Sequence, residues 1–181
     1  NDGSLEQVLK SVGFEKGSAT MHQTHSSDIS FADSHETYEC DGLYTDKKLL
    51  PLVVKTADCV PILMESNKRI SAIHAGWRGL EQLIFEKSLK VHDISSLSIS
   101  IGPHARKCCY EVGVEFTKKF KNSIDIVENK YYLDLTKNIK NFAFKNNINL
   151  EDTGECTICN KKYFSYRENR TNERQFSFIW I

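Results

Sequence analysis

Three side chains that bind metals well each follow a run of β-type residues. His25 ends "HQTH", Cys59 ends "VVKTADC" and His74 ends "SAIHA". A strand end holds its side chain rigidly, so ligands from three strands would form a rigid cup. Two imidazoles and one thiolate suit zinc, and they leave the fourth tetrahedral position for water or substrate, as in catalytic zinc sites. The sequence thus offers His25, Cys59 and His74 as a metal-ligand set.

The residues alone leave other interpretations of this set open, because the intervals between them match no short zinc motif. Cys59 can be a buried small hydrophobe, as free cysteines usually are. His74 can be a core histidine held by hydrogen bonds. His25 can be exposed, with His22 as the histidine that matters.

The stretch "HAGWRG", residues 74–79, joins a strand to a helix. Gly76 and Gly79 permit a tight turn or the close approach of a ligand, since neither carries a Cβ. The start of the helix offers free backbone N–H groups, and the guanidinium of Arg78 can grip two oxygens of an anion. The simpler interpretation is a strand-to-helix turn capped by an arginine.

The remaining thiols give a weaker signal. The chain has six cysteines. We expect no secretory leader, and therefore reduced thiols rather than disulfides. "CTIC", Cys156 to Cys159, has the spacing of a redox motif but lacks the βαβ context of one. With Cys108 and Cys109 it could make a four-cysteine zinc site, but adjacent cysteines rarely have the geometry for one. The spacing therefore does not favour that site.

The helices and strands predicted around these residues indicate an α+β fold. A short helix around Leu5–Val12 precedes β-like runs, and "LLPLVVKTADC", "VPILME" and "RISAIHAG" follow in close succession. We predict a helix from about Gly79 to Val91, a strand-like "CCYEVG", a helix over "VEFTKKFKN" and a terminal strand "RQFSFIWI". No repeat or linker divides the chain, so we expect one domain over residues 1–181, with packed sheets and helices outside.

Composition limits the partners. Lys plus Arg and Asp plus Glu balance at 24 each, so net charge predicts neither a nucleic-acid nor an anionic-membrane partner. No apolar run approaches the roughly 20 residues that span a bilayer. We expect a cytoplasmic protein with a small-molecule substrate, as a monomer or homodimer.

Several longer sequence motifs together resemble those of a known family: "HQTHSSDI", "CDGLYTD", "VVKTADCVPILM", "AIHAGWRGL", "IGPHARKCCYEVG", "CTICNKKYFSYR" and "RQFSFIWI". In this order the chain, from about Ser4 to Ile181, resembles the multicopper polyphenol oxidoreductase laccase-domain family, also described as YfiH-like purine nucleoside phosphorylases. The resemblance implies a layered α/β/β/α sandwich of mixed sheets, similar to the catalytic domain of cytotoxic necrotizing toxins. It also implies metal ligands at His25, Cys59 and His74.

The chain departs from the family pattern in two places. The family pattern begins with an N-terminal strand segment that we expect this chain to lack, which puts any substrate contact from that segment in doubt. The second departure is His104, where many relatives carry a cysteine, and we expect His104 to be a surface substitution.

The resemblance implies phosphorolysis of adenosine, inosine and methylthioadenosine, with deamination of adenosine. Zinc suits this chemistry because it lowers the pKa of a bound water toward about 7, which favours attack on C6 of adenine. A multicopper laccase centre needs more histidines than the six in this chain, although one His₂Cys site can hold a single copper ion.

Phosphorolysis also needs residues that hold phosphate beside the ribose. Arg78 is the first candidate for this clamp and Arg167 in "FSYR" is the second. Asp58 or Asp41 can orient a ligand histidine, bind substrate or act as an acid–base group. Ordinary surface ion pairs or turn-capping aspartates are an equal alternative for these residues.

Three other functions use the same residues. Without a metal, Cys59 as nucleophile and His74 as its base would make an amide hydrolase, with peptidoglycan editing as one possible role. With copper, the protein would be a polyphenol oxidase, as the family name suggests. A zinc-stabilised interaction module is the non-enzymatic alternative. Metal content, chelation and thiol alkylation discriminate among them.

Overall fold

The computed structural model describes residues 2–181, with side chains from Leu5 onward. The expected domain over 1–181 thus extends at Asn1 beyond the described residues. The helices are α1 (Asp2–Ser11), α2 (Trp77–Glu81), α3 (Ile84–Leu89), α4 (Phe116–Lys119), α5 (Lys137–Lys145) and α6 (Tyr166–Asn169), with a 3₁₀ turn at Ile94–Ser96. The strands are β1 (Thr20–Met21), β2 (Ile29–Phe31), β3 (Thr37–Tyr38), β4 (Gly42–Thr45), β5 (Leu52–Thr56), β6 (Val60–Ser66), β7 (Arg69–Ala75), β8 (Ser98–Ile101), β9 (Glu111–Val112), β10 (Ile124–Val127), β11 (Lys130–Leu133), β12 (Asn149–Asp152) and β13 (Gln175–Ile179).

A six-stranded mixed sheet forms the centre, in the order β12-β8-β6-β7-β4-β2. Its middle pairs are antiparallel, and its outer pairs, β12 with β8 and β2 with β4, are parallel. β7 is buried along almost its whole length, which fits a central strand covered on both faces. β13 pairs antiparallel with β5 in a second sheet. The predicted α+β class with mixed sheets is confirmed.

Three apolar clusters show how these layers pack. The largest joins the central sheet to residues of α3 and α5, such as Phe85 and Ile139. A second lies on the other side of the sheet and includes β5 residues such as Val54. A third joins Leu5 and Leu9 of α1 to Val53 of β5. Leu5 and Leu9 are one helical turn apart, so α1 offers one apolar face to the second sheet.

Some sequence-based predictions of local structure were wrong. The helix expected over 79–91 is two helices, because Leu83 between them adopts a left-handed conformation with φ of 66°. Only Glu111–Val112 of "CCYEVG" form a strand, since the amides of Cys109 and Tyr110 both donate to the carbonyl of Arg106 in a turn. The helix expected over "VEFTKKFKN" covers only Phe116–Lys119.

Across residues 2–181, none of the helices combines the length and the apolar character that crossing a membrane requires.

Candidate active site

The hairpin of β6 and β7 positions two of the three expected ligands. Val60 pairs with Ala75 and Pro61 with His74, so the start of β6 lies beside the end of β7. Cys59 directly precedes β6 and therefore lies close to His74. His25 comes from a loop rather than a strand end, four residues after β1, and it has a left-handed backbone with φ of 63°. The expectation that His25 ends a strand was wrong.

These three side chains nevertheless converge. The ligand atoms of His25, Cys59 and His74 all lie within 4.8 Å of one another, and Cys59 Sγ is 3.7 Å from His25 Nε2. In a tetrahedral zinc site, bond lengths of about 2.3 Å to sulfur and 2.0–2.1 Å to nitrogen separate S and N by about 3.6 Å. The donor set therefore fits one ion with little movement.

Asp41 is fully buried beneath the two histidines. Its Oδ1 lies 2.7 Å from His74 Nδ1 and also accepts the backbone N–H of His25. Its Oδ2 accepts the backbone N–H groups of Thr24 and Ser26. A carboxylate on Nδ1 leaves His74 Nε2 free for a ligand, as in many metal-bound histidines. Asp41 is thus placed to orient the histidines, not to touch a substrate in the cavity.

Gly76 leaves the space that the ligands occupy. A Cβ at this position would lie 3.0 Å from both Cys59 Sγ and His25 Cδ2. Both contacts are tighter than almost all real Cβ contacts, so one ligand would have to move. The first glycine of "HAGWRG" therefore permits a close approach of two side chains. The sequence had predicted a tight turn or the close approach of a bound ligand.

Cys59 and His74 stabilise each other's charged forms. Burial opposes ionisation of Cys59, but hydrogen bonds with His25 and His74 lower its pKa to about 6. Burial likewise opposes protonation of His74, but Asp41 and Cys59 raise its pKa to about 9. Cys59 is therefore a thiolate at neutral pH, and a proton and a metal ion compete for His74 Nε2.

All three ligands line one cavity of about 590 Å³. Arg78 and Arg167 line it as expected, and both are exposed. The Arg78 guanidinium lies 4.4 Å from the centre of the Trp77 ring. Arg167 lies over Tyr110 and donates to the carbonyl of Glu111. Both arginines are therefore braced at the cavity wall.

Other residues that line this cavity were not predicted as site residues from the sequence. Lys55 and Arg174 add positive charge, and Trp77, Tyr110 and Tyr166 add aromatic surface. Lys55 belongs to β5, and Arg174 directly precedes β13, so the pairing of these strands brings both to the site. Two basic residues beside the sheet's apolar strands were the only signal in the sequence.

Asp58 lines the cavity but does not contact a histidine through its carboxylate. Oδ1 accepts from the Thr157 hydroxyl at 2.7 Å, and Oδ2 accepts from the backbone N–H of Arg167 at 2.6 Å. Asp58 is buried and has a left-handed backbone with φ of 96°. Its contacts tie the turn that carries Thr157 to the start of α6. The sequence left Asp58 open as an orienting, substrate-binding or acid–base group, or as a turn-capping aspartate.

Other histidines lie away from the ligand set. His22, the alternative to His25, is exposed and pairs with Glu39. His92 lies between two serine hydroxyls, those of Ser66 and Ser71. His104, expected at the surface, is only 1% exposed, and its Nδ1 donates to the carbonyl of Gly102. The surface expectation for His104 was wrong because the turn after β8 folds it inward.

Comparisons with known proteins agree with the fold. The structure superposes on YfiH of Bacillus licheniformis with a TM-score of 0.86 and 24% identity, covering 99% of this chain and 80% of that one. It superposes on YlmD of Geobacillus stearothermophilus with a TM-score of 0.80 and 23% identity, covering 97% and 77%. At these identities, the likeness establishes the fold alone.

Sequence relatives lie closer. A protein named purine nucleoside phosphorylase from Clostridium acetobutylicum is 37% identical over 188 residues, covering 94% of this chain and 77% of that protein. One of the same name from Aquifex aeolicus is 36% identical over 150 residues, covering 79% and 71%. The model of the family described as "Multi-copper polyphenol oxidoreductase laccase" matches residues 3–181. The match over almost the whole chain, together with these relatives, confirms the resemblance: the chain belongs to the multi-copper polyphenol oxidoreductase laccase family.

Proposed function

We propose that this protein is a purine nucleoside phosphorylase that uses one zinc ion held by His25, Cys59 and His74. Its substrates would be adenosine, inosine and methylthioadenosine, with deamination of adenosine as a second activity. The observation that carries the proposal is the three-ligand set facing a cavity with both cationic and aromatic walls. The relatives named purine nucleoside phosphorylase support the same substrate class.

The donor set suits a single ion better than a multicopper centre. Within the described residues, the only group that combines histidines with another ligand type is His25, Cys59 and His74. A multicopper centre needs several more imidazoles. His22, His92 and His104 have partners elsewhere, which leaves only His35 of the six histidines. Zinc here would supply a Lewis acid and a water of lowered pKa.

The chain's own residues orient this site. Asp41 keeps the proton of His74 on Nδ1, so that Nε2 faces the ligand position. The backbone N–H of His25 is tied to the same carboxylate, which fixes the loop that carries the second imidazole. Gly76 keeps the space between Cys59 and His25 clear.

The cavity walls suit the two halves of a phosphorolysis reaction. Arg78, with Lys55 and Arg174, supplies positive charge for phosphate, and the guanidinium fork can hold two phosphate oxygens. Tyr166 offers a ring face on which a purine can stack. The Trp77 ring holds Arg78 and Lys119 at 4.4 and 5.0 Å from its centre and so supports the cationic part of the wall. A phosphate oxygen would attack C1′ of the ribose while the glycosidic bond breaks and its electron pair leaves with the purine.

Chromatography of nucleosides incubated with phosphate tests the proposal. Protein purified without chelator should release purine base, chelated protein should not, and added zinc should restore the activity. His25→Ala should abolish turnover, while His22→Ala is a matched control, because His22 is exposed and absent from the cavity wall. Full activity in zinc-free protein would overturn the metal-dependent proposal. Loss of that activity on alkylation of Cys59 would then favour a cysteine hydrolase.

A further inference from the structure

A second group of candidate metal ligands, made of four cysteines, lies outside the cavity of the proposed active site. Cys108, Cys109, Cys156 and Cys159 are all free, and their Sγ atoms lie within 4.8 Å of one another. Four sulfurs bound to zinc at about 2.3 Å stand about 3.8 Å apart. The four Sγ atoms therefore need to close by about 1 Å at most to enclose an ion.

Two tight turns bring these cysteines together despite their unusual spacing. In the first turn, the carbonyl of Arg106 accepts the N–H groups of Cys109 at 2.9 Å and Tyr110 at 2.8 Å. In the second, Asn160 N–H donates to the carbonyl of Cys156 at 3.0 Å. Each turn contributes two sulfurs, which is the pairing found in four-cysteine zinc sites. The folded turn overcomes the usual objection to adjacent cysteines.

The turns already interlock at Cys156. Burial favours the neutral thiol, but backbone N–H groups of Cys159, Arg106 and Ile158 are directed at its sulfur and lower the pKa of Cys156 to about 7. The amide of Arg106 comes from the first turn and the other two from the second. Backbone donors from both turns thus support a thiolate at the centre of the group.

The charge of four thiolates needs a cation. Four sulfurs this close together cannot all be thiolates unless a cation lies within the group. The basic side chains around it are paired with carboxylates, as Arg106–Asp152, Lys107–Asp125 and Lys161–Glu168. A divalent, thiophilic ion bound by the four sulfurs can displace their protons and offset two of the four negative charges.

We propose that Cys108, Cys109, Cys156 and Cys159 hold a second zinc ion, separate from the one assigned to the active site. Protein sulfurs fill all four tetrahedral positions, so this ion is structural rather than catalytic. Cys108 and Cys159 are exposed, and the ion can therefore reach the site from solvent.

This ion would clamp one wall of the active-site cavity. Thr157 lies between two of the cysteines, and its hydroxyl donates to Asp58 Oδ1 at 2.7 Å. Tyr110 directly follows Cys109, and its ring lies 4.6 Å from the Arg167 guanidinium. Both turns therefore reach the cavity, so the second ion would fix the positions of Asp58 and Arg167 relative to each other.

Zinc content per chain tests the proposal. Elemental analysis of chelator-free protein should give two zinc ions per chain. The double variant Cys108→Ser/Cys159→Ser should retain one of them, at the active site. Cys59→Ser is the reciprocal control and should also retain one, at the four cysteines. If the active site binds no zinc, the wild type contains one ion that only the double variant removes, so the two metal proposals fail independently.

Cobalt substitution of the wild type keeps the test decisive if the double variant does not fold. A tetrahedral four-thiolate cobalt site absorbs visible light much more strongly than a site with one thiolate, and this band should persist in Cys59→Ser. Absence of the band, or a wild-type zinc ion that Cys59→Ser removes completely, would overturn the proposal. So would a disulfide between Cys156 and Cys159, detected by mass spectrometry of protein alkylated without reduction.

Discussion

Replacing Asp41 with Asn should disable the metal site while leaving every ligand in place. Both carboxylate oxygens are obligatory acceptors: Oδ1 faces His74 Nδ1 and His25 N–H, and Oδ2 faces the N–H groups of Thr24 and Ser26. An amide can present an oxygen to only one of these two sides. Its NH₂ group must therefore face donors in either orientation.

The size of the effect follows from these contacts. If the NH₂ faces His74, that ring must place its proton on Nε2 and can no longer ligate through it. If it faces Ser26, the partly buried amides of Thr24 and Ser26 lose their acceptor and the loop that carries His25 shifts. Loss of such an orienting partner lowers metal affinity about 10- to 100-fold. Each buried donor left without a partner costs about 1–3 kcal/mol.

Zinc affinity of Asp41→Asn and Asp58→Asn, measured by competition with a chromophoric chelator, tests this reasoning. Asp58→Asn is the matched control, because the Thr157 hydroxyl that faces it can reverse from donor to acceptor. We expect the Asp41 variant to bind zinc at least 10-fold more weakly and the Asp58 variant to bind it within about threefold of wild type. Equal affinities in the two variants would refute the orienting role of Asp41.

Three further changes have defined outcomes. Cys59→Ser should lose the active-site metal yet keep a cooperative thermal transition, because a neutral hydroxyl is a poor zinc ligand and the apolar clusters remain; unfolding of the variant would make the site structural. Arg78→Lys should reduce phosphorolysis about 10-fold more than deamination, since only phosphorolysis needs the bidentate fork; equal losses would indicate a structural role. Burial lowers the pKa of His92 to about 4 from an ordinary 6.5, with Arg69 contributing. The contribution of neutral His92 to the free energy of unfolding should thus be fully present above pH 6.5 and be lost as the pH falls toward 4. After solvent screening we expect this loss to be about 2 kcal/mol. His92→Gln should flatten this part of the denaturation profile, and an unchanged slope would contradict the assignment.

The ligand set could be predicted from residue types, whereas its support could not. His25, Cys59 and His74 each follow a β-type run in the sequence, and chemistry that needs nitrogen and sulfur ligands selects them, although only His74 lies within a strand. Asp41 bonds to His74 across 33 positions of chain. That contact depends on the antiparallel pairing of β4 with β7, which no local pattern encodes.

The fold class was predictable, but the turns were not. Apolar β-rich runs indicated the strands, because buried strands need such residues whatever their order. The break between α2 and α3 rests on a left-handed Leu83, a conformation that leucine does not signal. The sequence did not favour a four-cysteine zinc site, because adjacent cysteines rarely have the geometry for one. Spacing alone cannot show that hydrogen bonds to the Arg106 carbonyl form a turn that brings Cys108 and Cys109 beside the "CTIC" turn.

The product formed from inosine in the presence of inorganic phosphate is the most direct test of the proposed function. Phosphorus NMR of the native zinc-containing protein should show a pentose 1-phosphate that accumulates in equal amount to free hypoxanthine, and removal of zinc by a chelator should stop both. Free ribose without a new phosphate ester, or a pentose 1-phosphate that still forms at full rate in zinc-free protein, would contradict phosphorolysis at the His25, Cys59 and His74 site.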